Sequence, residues 1–273
     1  MCDTCGCNIT EGNRHLIEEG GKHAHAKDGS VAVEVLQNLL SENDHQATHN
    51  REHFDRHQLL AINLMSSPGS GKTRLLETTI DKLGQKYRIA VVEGDLETEN
   101  DAERIRKKGV AAVQITTGTA CHLDAHMIHQ ALHRMDLDEV DILFIENVGN
   151  LVCPASFDLG QHLNITLLSV TEGDDKPIKY PVIFRAADLV LLTKSDLLAV
   201  MDEFSPERAE QAVRQLAVEV PVTLTSAKSG EGFETWLAWL EEQIKLHKAR
   251  RAQGKTLKPN LQPEGAKLHA GEG

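Results

Sequence analysis

The fold is decided by the stretch LLAINLMSSPGSGKTRLLETTIDKLG at residues 59–84. Its apolar beginning, LLAINLM (59–65), predicts a buried strand, and its amphipathic end, TRLLETTIDKLG (73–84), predicts a helix. Between them lies the glycine-rich loop SSPGSGKT (66–73). Such a loop between a strand and a helix is typical of a P-loop, which cradles the phosphates of a nucleotide. A glycine-rich turn without a ligand is the alternative, and the strand–loop–helix context argues against it.

The residues of this loop have distinct expected roles. Gly69 and Gly71 let the backbone approach the phosphates and aim its N–H groups at them. Lys72 would reach the β and γ phosphates, and the Thr73 hydroxyl would bind Mg²⁺. Ser66 stands where the usual pattern has its first glycine, so the strict motif fails at one position. The expected nucleotide-binding residues of this segment are Gly69, Ser70, Gly71, Lys72, Thr73 and Arg74.

Outward from the loop, apolar runs alternate with amphipathic stretches. Most runs are continuous, as expected for parallel strands that are covered on both faces. The helical stretches between them form βαβ units, so we predict an α/β P-loop nucleoside triphosphatase with a mostly parallel, doubly wound sheet. The predicted strands are LLAINLM (59–65), RIAVVEG (88–94), AAVQITT (111–117), DILFIEN (141–147), ITLLSVT (165–171), DLVLLTK (188–194) and PVTLTSA (221–227).

Two acidic residues follow predicted strands where Mg²⁺ and the γ-phosphate would lie. Asp95 follows the second strand, and Glu146 ends the fourth and leads into Asn147-Val148-Gly149. This segment resembles a DxxG switch with Glu for Asp, in which Glu146 holds a magnesium-bound water and the Gly149 N–H senses the γ-phosphate. Ordinary strand-end acids are the alternative. The residue directly after Gly149 is Asn150 and not a glutamine, so we expect slow hydrolysis stabilised by Lys72, Mg²⁺ and backbone donors, with Asp95 as the candidate for positioning water.

The base preference is predicted from two later strand ends. Thr193-Lys194-Ser195-Asp196 resembles the guanine-binding motif NKxD, with Thr for Asn. The Asp196 carboxylate can accept hydrogen bonds from N1–H and the 2-amino group of guanine, which adenine does not present, and the Lys194 stem can lie over the base. Ser226-Ala227-Lys228 resembles the SAK element, in which the Ala227 N–H contacts guanine O6. Both motifs, in this order after a P-loop, predict GTP.

Composition limits the class of protein. The 273-residue chain has a formal net charge of −12 and a pI near 5.6, which argues against a nucleic-acid partner. No uninterrupted apolar stretch approaches 18 residues, and the N-terminus lacks a signal-type apolar run, so we expect a cytoplasmic protein that does not enter a membrane. The five cysteines are an odd number and closely spaced, which favours metal binding or redox chemistry over disulfides.

A first candidate metal site lies at the N-terminus, where Cys2, Cys5 and Cys7 form a C-x-x-C-x-C pattern. Three thiolates this close can bind one ion with the α-amino group as a fourth ligand, which suits square-planar Ni²⁺ or tetrahedral Zn²⁺. A redox CxxC or a disordered reducing tail is the alternative. The sequence does not indicate which metal binds.

A second candidate metal site lies inside the nucleotide domain. Cys121 and His122 precede a predicted helix, and Cys153 follows Glu146 by seven residues. Three N/S ligands leave a fourth position for water, an exchangeable partner or another subunit. Because Cys153 comes four residues after Gly149, a moving switch would move the thiol and couple nucleotide state to metal affinity. Buried cysteines that act as small apolar residues are the alternative.

Histidines recur along two predicted helices with a spacing that places them on one face. Neighbouring pairs at this spacing can chelate a divalent ion, although we favour a solvated face as the interpretation of both stripes. The first stripe is His45, His49, His53 and His57, and the second is His126, His129 and His133.

The chain divides into four regions by composition and periodicity. Residues 1–30 are rich in Gly, Cys and His and are expected to be a flexible metal-binding segment. Residues 31–57 are predicted to form a helix, and residues 58–247 the GTPase domain. Residues 248–273 are rich in Lys, Gly, Pro and Gln, and we expect a disordered tail.

The full set of motifs resembles the hydrogenase nickel-incorporation GTPases, the HypB family. The motifs are the N-terminal CxxCGC, NLMSSPGSGKT, EGD, GTACHLDA, ILFIENVGNLVCPASFDLG, VTEGDDKPIKYP, TKSD and SAKSGEG. The resemblance covers roughly residues 31–247 and the first seven, and CHLDA together with ENVGNLVCPASFDLG is more specific than the P-loop motifs. The histidine block near the N-terminus is short, which argues against nickel storage.

The resemblance implies a function, partners and site residues. Members belong to the P-loop branch that dimerises face to face around nucleotide, the SIMIBI type. They deliver Ni²⁺ to the large-subunit precursor of NiFe-hydrogenase, with a HypA-like nickel/zinc partner. The implied high-affinity nickel ligands are Cys2, Cys5 and Cys7, and the implied ligands of a second site, for zinc or nickel at the dimer interface, are Cys121, His122 and Cys153. The implied Mg²⁺ and switch residues are Thr73, Asp95 and Glu146, and the implied guanine-site residues are Lys194 and Asp196.

Three other functions compete with this interpretation. An ATP-dependent small-molecule kinase or synthetase is disfavoured by Asp196 and Ala227. A metal-buffering module with a degenerate nucleotide site is disfavoured by the intact pair Lys72 and Thr73. A related GTPase for urease or cobalamin enzymes is disfavoured by the CxxCGC and ENVGNLVCP segments.

Overall fold

The computed structural model describes residues 30–96, 99–217 and 219–259. Residues 1–29 of the predicted metal-binding segment, which include Cys2, Cys5 and Cys7, lie outside the described residues. Residues 260–273 of the predicted tail also lie outside them.

Strands and helices alternate along the described chain, as predicted. The strands are β1 (Leu60–Ser66), β2 (Ile89–Asp95), β3 (Ala111–Thr116), β4 (Ile142–Glu146), β5 (Leu163–Ser169), β6 (Leu189–Thr193) and β7 (Val222–Thr225). The helices are α1 (Ser30–Arg56), α2 (Lys72–Leu83), α3 (Asn100–Arg106), α4 (Ala125–Leu132), α5 (Lys176–Lys179), α6 (Pro181–Arg185), α7 (Pro206–Leu216) and α8 (Phe233–Ala252). Strand β5 begins two residues earlier than predicted, because Leu163 already pairs with Ile62 of β1.

The strands form one parallel sheet in the order β3-β2-β4-β1-β5-β6-β7. Strands β2, β3 and β4 lie on one side of the central β1, and β5, β6 and β7 lie on the other, so the predicted doubly wound α/β fold is confirmed. In such a sheet the ligand site lies outside the carboxyl ends of the strands, next to the point where the winding reverses. The residues that close β1, β2, β4 and β6 at this edge are Ser66, Asp95, Glu146 and Thr193.

The core has two layers because alternate residues of each strand point to opposite faces. On one face, Ile62 of β1 packs in a cluster that includes Trp236 of α8. On the other face, Ala61 packs in a cluster with Phe54 of α1 and Ile128 of α4. Every residue of β1 is buried, which explains the continuous apolar runs from which the strands were predicted.

Helix α1 is held against the rest of the domain by polar contacts as well as by Phe54. The buried Asn50 donates from Nδ2 to the carbonyl oxygen of Ala125 at 2.7 Å, at the start of α4. Arg51 Nη2 lies 2.7 Å from the carboxylate of Asp158, in the segment that precedes β5. These contacts fix the position of α1 beside α4.

Helix α8 continues to Ala252, so the tail predicted from residue 248 was placed too early. Arg251 explains the extension, because its Nε lies 3.2 Å from Asp55 Oδ1 on α1 and its Nη1 donates to the carbonyl oxygen of Lys255. None of the helices in the described part of the chain is both long and apolar enough to cross a bilayer.

Candidate nucleotide and metal site

The P-loop connects β1 to α2 and has the backbone shape that phosphate binding requires. Gly69 and Gly71 have φ angles of 75° and 95°, in the left-handed region that favours glycine. A Cβ at either position would meet no atom within 4 Å, so both residues face open space. Lys72 Nζ donates to Ser66 Oγ at 3.1 Å. The serine that replaces the usual first glycine therefore holds the P-loop lysine.

The segment after β4 lies directly against the P-loop. Thr73 Oγ1 donates to Glu146 Oε1 at 2.9 Å, so two of the three predicted Mg²⁺ residues are in contact. A Cβ at Gly149 would lie 2.8 Å from the Cα and N atoms of Pro68, which leaves room only for glycine. The predicted switch residue thus abuts the loop that would hold the phosphates.

Glu93 is an acidic neighbour in the EGD motif, in which only Asp95 was expected to act at the site. It lies on β2 opposite Glu146 of β4, and carboxylate oxygens of Glu93, Asp101 and Glu146 all lie within 4.8 Å of one another. Burial, and then the neighbouring Glu146 carboxylate, raise the pKa of Glu93 far above its usual range, and burial raises the pKa of Glu146. Both shifts favour the neutral carboxyl group, and a bound divalent cation would oppose them.

These carboxylates fit a hard divalent cation. The Oε2 atoms of Glu93 and Glu146 are buried without a hydrogen-bond partner in the described structure. Mg²⁺ prefers one or two carboxylates and retains several waters, which matches this donor set beside Thr73. Asp95, the third predicted residue, lies at the half-exposed end of β2, where its Oδ1 accepts a hydrogen bond from the Leu96 N–H at 2.7 Å. Asp95 is not part of the three-carboxylate group.

The predicted guanine motifs line a cavity of about 190 Å³ next to the P-loop. Asp196 Oδ1 accepts a hydrogen bond from Ser226 Oγ at 2.6 Å, and Lys228 Nζ lies 3.7 Å from Asp196 Oδ2. The Ser226 hydroxyl holds the pKa of Asp196 below its usual range, so the carboxylate is ionised and can accept hydrogen bonds from a base. The lining residues are Ser70, Gly71, Arg74, Leu75, Thr193, Lys194, Asp196, Leu197, Thr225, Ser226, Ala227 and Lys228.

Thr193 has a contact that explains its place in the motif. Its buried Oγ1 donates to the carbonyl oxygen of Ser70 at 2.7 Å. This hydrogen bond joins the end of β6 to the P-loop. A hydroxyl therefore makes a supporting contact at the position where the usual motif has an asparagine side chain.

The predicted second metal site is brought together in the structure. Cys121 Sγ lies 3.1 Å from Cys153 Sγ and 3.9 Å from His122 Nδ1, and the three ligand atoms lie within 4.8 Å of one another. Neither cysteine belongs to a disulfide, and both are half-buried, which does not fit the alternative of buried apolar residues. His122 is fully buried and stacks on Phe157 with ring centroids 4.0 Å apart. Burial lowers the pKa of His122 to about 4, which keeps the imidazole neutral.

Two asparagines that the sequence motifs did not single out connect this cysteine site to the switch segment. Asn150 Nδ2 donates to the carbonyl oxygen of Cys121 at 3.3 Å. Asn147 Oδ1 accepts a hydrogen bond from the Leu123 N–H at 3.2 Å. The loop that carries Cys121 is therefore bonded to the segment that runs from Glu146 to Cys153.

Comparison with known proteins identifies the family. A family model described as CobW/HypB/UreG, nucleotide-binding domain, matches residues 60–223. The hydrogenase maturation factor HypB of Azotobacter vinelandii is 52% identical over 221 residues, which cover 81% of this chain and 73% of the relative. The chain belongs to the HypB family. The hydrogenase maturation factor HypB of Escherichia coli K12 is 50% identical over 234 residues, covering 85% of this chain and 80% of the relative.

Solved structures of HypB proteins share the fold. HypB from Helicobacter pylori in complex with nickel has a TM-score of 0.72 and 45% identity, covering 75% of this chain and 95% of that one. HypB from Archaeoglobus fulgidus has a TM-score of 0.70 and 39% identity, covering 75% of this chain and 99% of that one. The resemblance inferred from the sequence motifs is thus confirmed at the level of family and fold.

Proposed function

We propose that this chain is a GTP-hydrolysing nickel metallochaperone that delivers Ni²⁺ during maturation of NiFe-hydrogenase. Its GTP-dependent dimerisation is coupled to the metal site formed by Cys121, His122 and Cys153. One observation carries the proposal: a single short segment connects the nucleotide site to the metal site. It begins at Glu146, which contacts Thr73, and ends at Cys153, whose Sγ lies 3.1 Å from Cys121 Sγ. A rearrangement of this segment by nucleotide would change the distances between the metal ligands.

The nucleotide half of the proposal rests on the P-loop and the guanine cavity. Lys72 and backbone N–H groups hold the phosphates, and Asp196 accepts hydrogen bonds from the guanine N–H groups. Thr73, Glu146 and Glu93 hold Mg²⁺, which would neutralise charge on the phosphates when bound. Asp95 is the residue that we propose to position the attacking water. Turnover is slow, because the residue directly after Gly149 is Asn150 and not a glutamine, and stabilisation comes from charges and backbone donors.

The metal half of the proposal rests on the chemistry of the donors. Two thiols and a neutral imidazole suit both Ni²⁺, which is the cargo, and Zn²⁺. The nickel complex of the Helicobacter pylori relative supports nickel as the cargo. We assign residues 1–30, with Cys2, Cys5 and Cys7, to a segment that binds a second nickel ion. Residues 31–57 are assigned to an N-terminal helix, and residues 58–247, with the rest of α8, to the GTPase domain.

A homodimer would bury the edge of the domain that carries both sites. Leu96 and Val152 expose 42% and 46% of their surface next to Asp95 and Cys153. Apolar side chains exposed beside a binding site favour association with another surface. We propose that two copies of the chain pair through this surface when nucleotide is bound. The protein also docks a HypA-like nickel/zinc protein and the hydrogenase large-subunit precursor, and it acts in the cytoplasm.

Complementation tests the proposal in a hydrogenase-producing host that lacks its own HypB family gene. The wild-type chain should restore hydrogenase activity and processing of the large subunit, whereas Lys72→Ala and Cys153→Ala should each fail. Lys82→Ala is the matched control for Lys72→Ala, because Lys82 is an exposed residue of the same helix. Full activity of Lys72→Ala would contradict the proposal and favour a metal buffer.

Competition binding tests the base preference separately. Labelled GTP should be displaced by unlabelled GTP and not by an equal concentration of ATP. Equal displacement by ATP would contradict the role given to Asp196 and favour the kinase or synthetase alternative.

A further inference from the structure

The two histidine stripes of the sequence meet in the structure. Helices α1 and α4 pack side by side, and the ring centroids of His49 and His129 lie 5.1 Å apart. His53 lies 4.7 Å from His49 and 6.0 Å from His129, measured between ring centroids. We call the five imidazoles on this surface the histidine cluster: His49, His53, His57, His129 and His133.

One pair in the cluster has the spacing of two ligands on a single ion. His129 Nε2 lies 3.2 Å from His133 Nε2. Metal–nitrogen bonds of about 2.0–2.1 Å, at the bond angles of square-planar or tetrahedral sites, place two nitrogens about 2.8–3.4 Å apart. The observed distance lies in this interval. His129 is half-buried and His133, just after α4, is exposed, so an ion can reach the pair from solvent.

The surroundings of the pair support an ion with further ligands. A cavity of about 300 Å³ is lined by four of the five histidines together with Asp136, Leu132, Met135 and Leu137. His57 Nδ1 lies 2.7 Å from Asp138 Oδ1. A carboxylate bound to Nδ1–H leaves the Nε2 lone pair free for a metal, which is the usual second contact of a ligating histidine.

The protonation of the cluster is compatible with metal binding at neutral pH. Burial and the neighbouring imidazoles lower the pKa of both His53 and His129. Neutral imidazoles have the lone pair that a metal requires. Arg56 also lies near enough to lower the pKa of His53, and its positive charge opposes a cation. The cluster should therefore bind metal more weakly than a site that contains thiolates.

We infer that the histidine cluster binds one divalent transition-metal ion, such as Ni²⁺ or Zn²⁺, through His129 and His133, with further ligands from the neighbouring His49, His53 and His57. These are nitrogen donors only, so the site is chemically distinct from the one at Cys121, His122 and Cys153. The inference stands on the imidazole geometry and does not depend on the proposed function.

Titration of the reduced full-length chain with Ni²⁺ tests the inference. Equilibrium dialysis measures bound nickel while ultraviolet absorption follows thiolate-to-nickel bonds. We expect a weaker phase in which nickel binds without any rise in thiolate absorption. In His129→Gln/His133→Gln this phase should lose at least about tenfold in affinity, while the thiolate phase stays unchanged.

The control pair is His45→Gln/His126→Gln, which removes two exposed histidines from the same helices outside the cluster. It should keep the weaker phase. A second variant, His49→Gln/His53→Gln, should weaken that phase as well, and it keeps the test usable if the first variant misfolds. Circular dichroism and nucleotide binding report folding. An unchanged weak phase in both cluster variants, or an equal loss in the control pair, overturns the inference.

Discussion

Substitution of Gly149 by alanine tests the contact between the switch segment and the P-loop. The added Cβ would lie 2.8 Å from the Cα and N atoms of Pro68, whereas ordinary contacts begin near 3.4 Å. The two backbones must therefore separate by about 0.6 Å. Overpacking of this kind costs about 1–3 kcal/mol. If binding of a GTP analogue needs this contact, that cost corresponds to a loss of affinity of roughly 5- to 150-fold.

Fluorescent GTP-analogue binding in the presence of Mg²⁺ measures this loss directly. The control is Gly109→Ala, whose added Cβ meets no atom within 4 Å, although its φ of 80° makes the substitution locally strained. We expect Gly109→Ala to lower stability without changing nucleotide affinity. A folded Gly149→Ala protein that binds the analogue as tightly as the wild type would refute the contact as a part of nucleotide sensing.

Contacts elsewhere in the same domain give three further predictions. Asp196→Asn should weaken GTP binding by at least about 2 kcal/mol, because a charged acceptor of the guanine N–H groups is lost. Unchanged GTP affinity in competition binding would contradict the role of Asp196 in guanine recognition. Thr193→Val should lower the free energy of unfolding by about 1 kcal/mol, because the hydrogen bond to the Ser70 carbonyl oxygen is lost. Urea unfolding measures this, and an unchanged unfolding midpoint would contradict it. Burial lowers the pKa of His247 to about 3, so the unfolded chain binds more protons below about pH 6.5 and stability falls as the pH falls. Between about pH 6.5 and 5 the wild type should lose about 2 kcal/mol more than His247→Leu, and equal losses in urea unfolding would contradict the role of His247.

The sheet could be predicted because its signals are local. Each strand is a run of buried apolar residues, and the P-loop, guanine and switch motifs occur at strand ends, which a parallel sheet gathers at one edge. The order of these motifs therefore places Lys72, Glu146 and Asp196 near one another from the sequence alone. The two glycines of the P-loop indicate its backbone shape for the same local reason.

The features that the sequence did not reveal depend on packing between distant segments. Glu93 looks like an ordinary strand residue, and its role emerges only because β2 pairs with β4, which brings it opposite Glu146. The histidine stripes were interpreted separately as solvated faces, and only the packing of α1 on α4 places His49 beside His129. The predicted end of α8 is too early because the contact between Arg251 and Asp55 joins segments that are far apart in the sequence.

In the function proposed for this chain, nucleotide state controls metal affinity at Cys121, His122 and Cys153. A Ni²⁺ titration of the reduced protein, once with GDP and once with a non-hydrolysable GTP analogue, tests it most directly when thiolate-to-nickel absorption and mass are followed together. We expect nucleotide to shift the nickel affinity of one site, and Cys153→Ala to abolish the shift. If nickel affinity is the same with both nucleotides, the coupling through Cys153 is wrong, and the nucleotide would control docking of the partner instead.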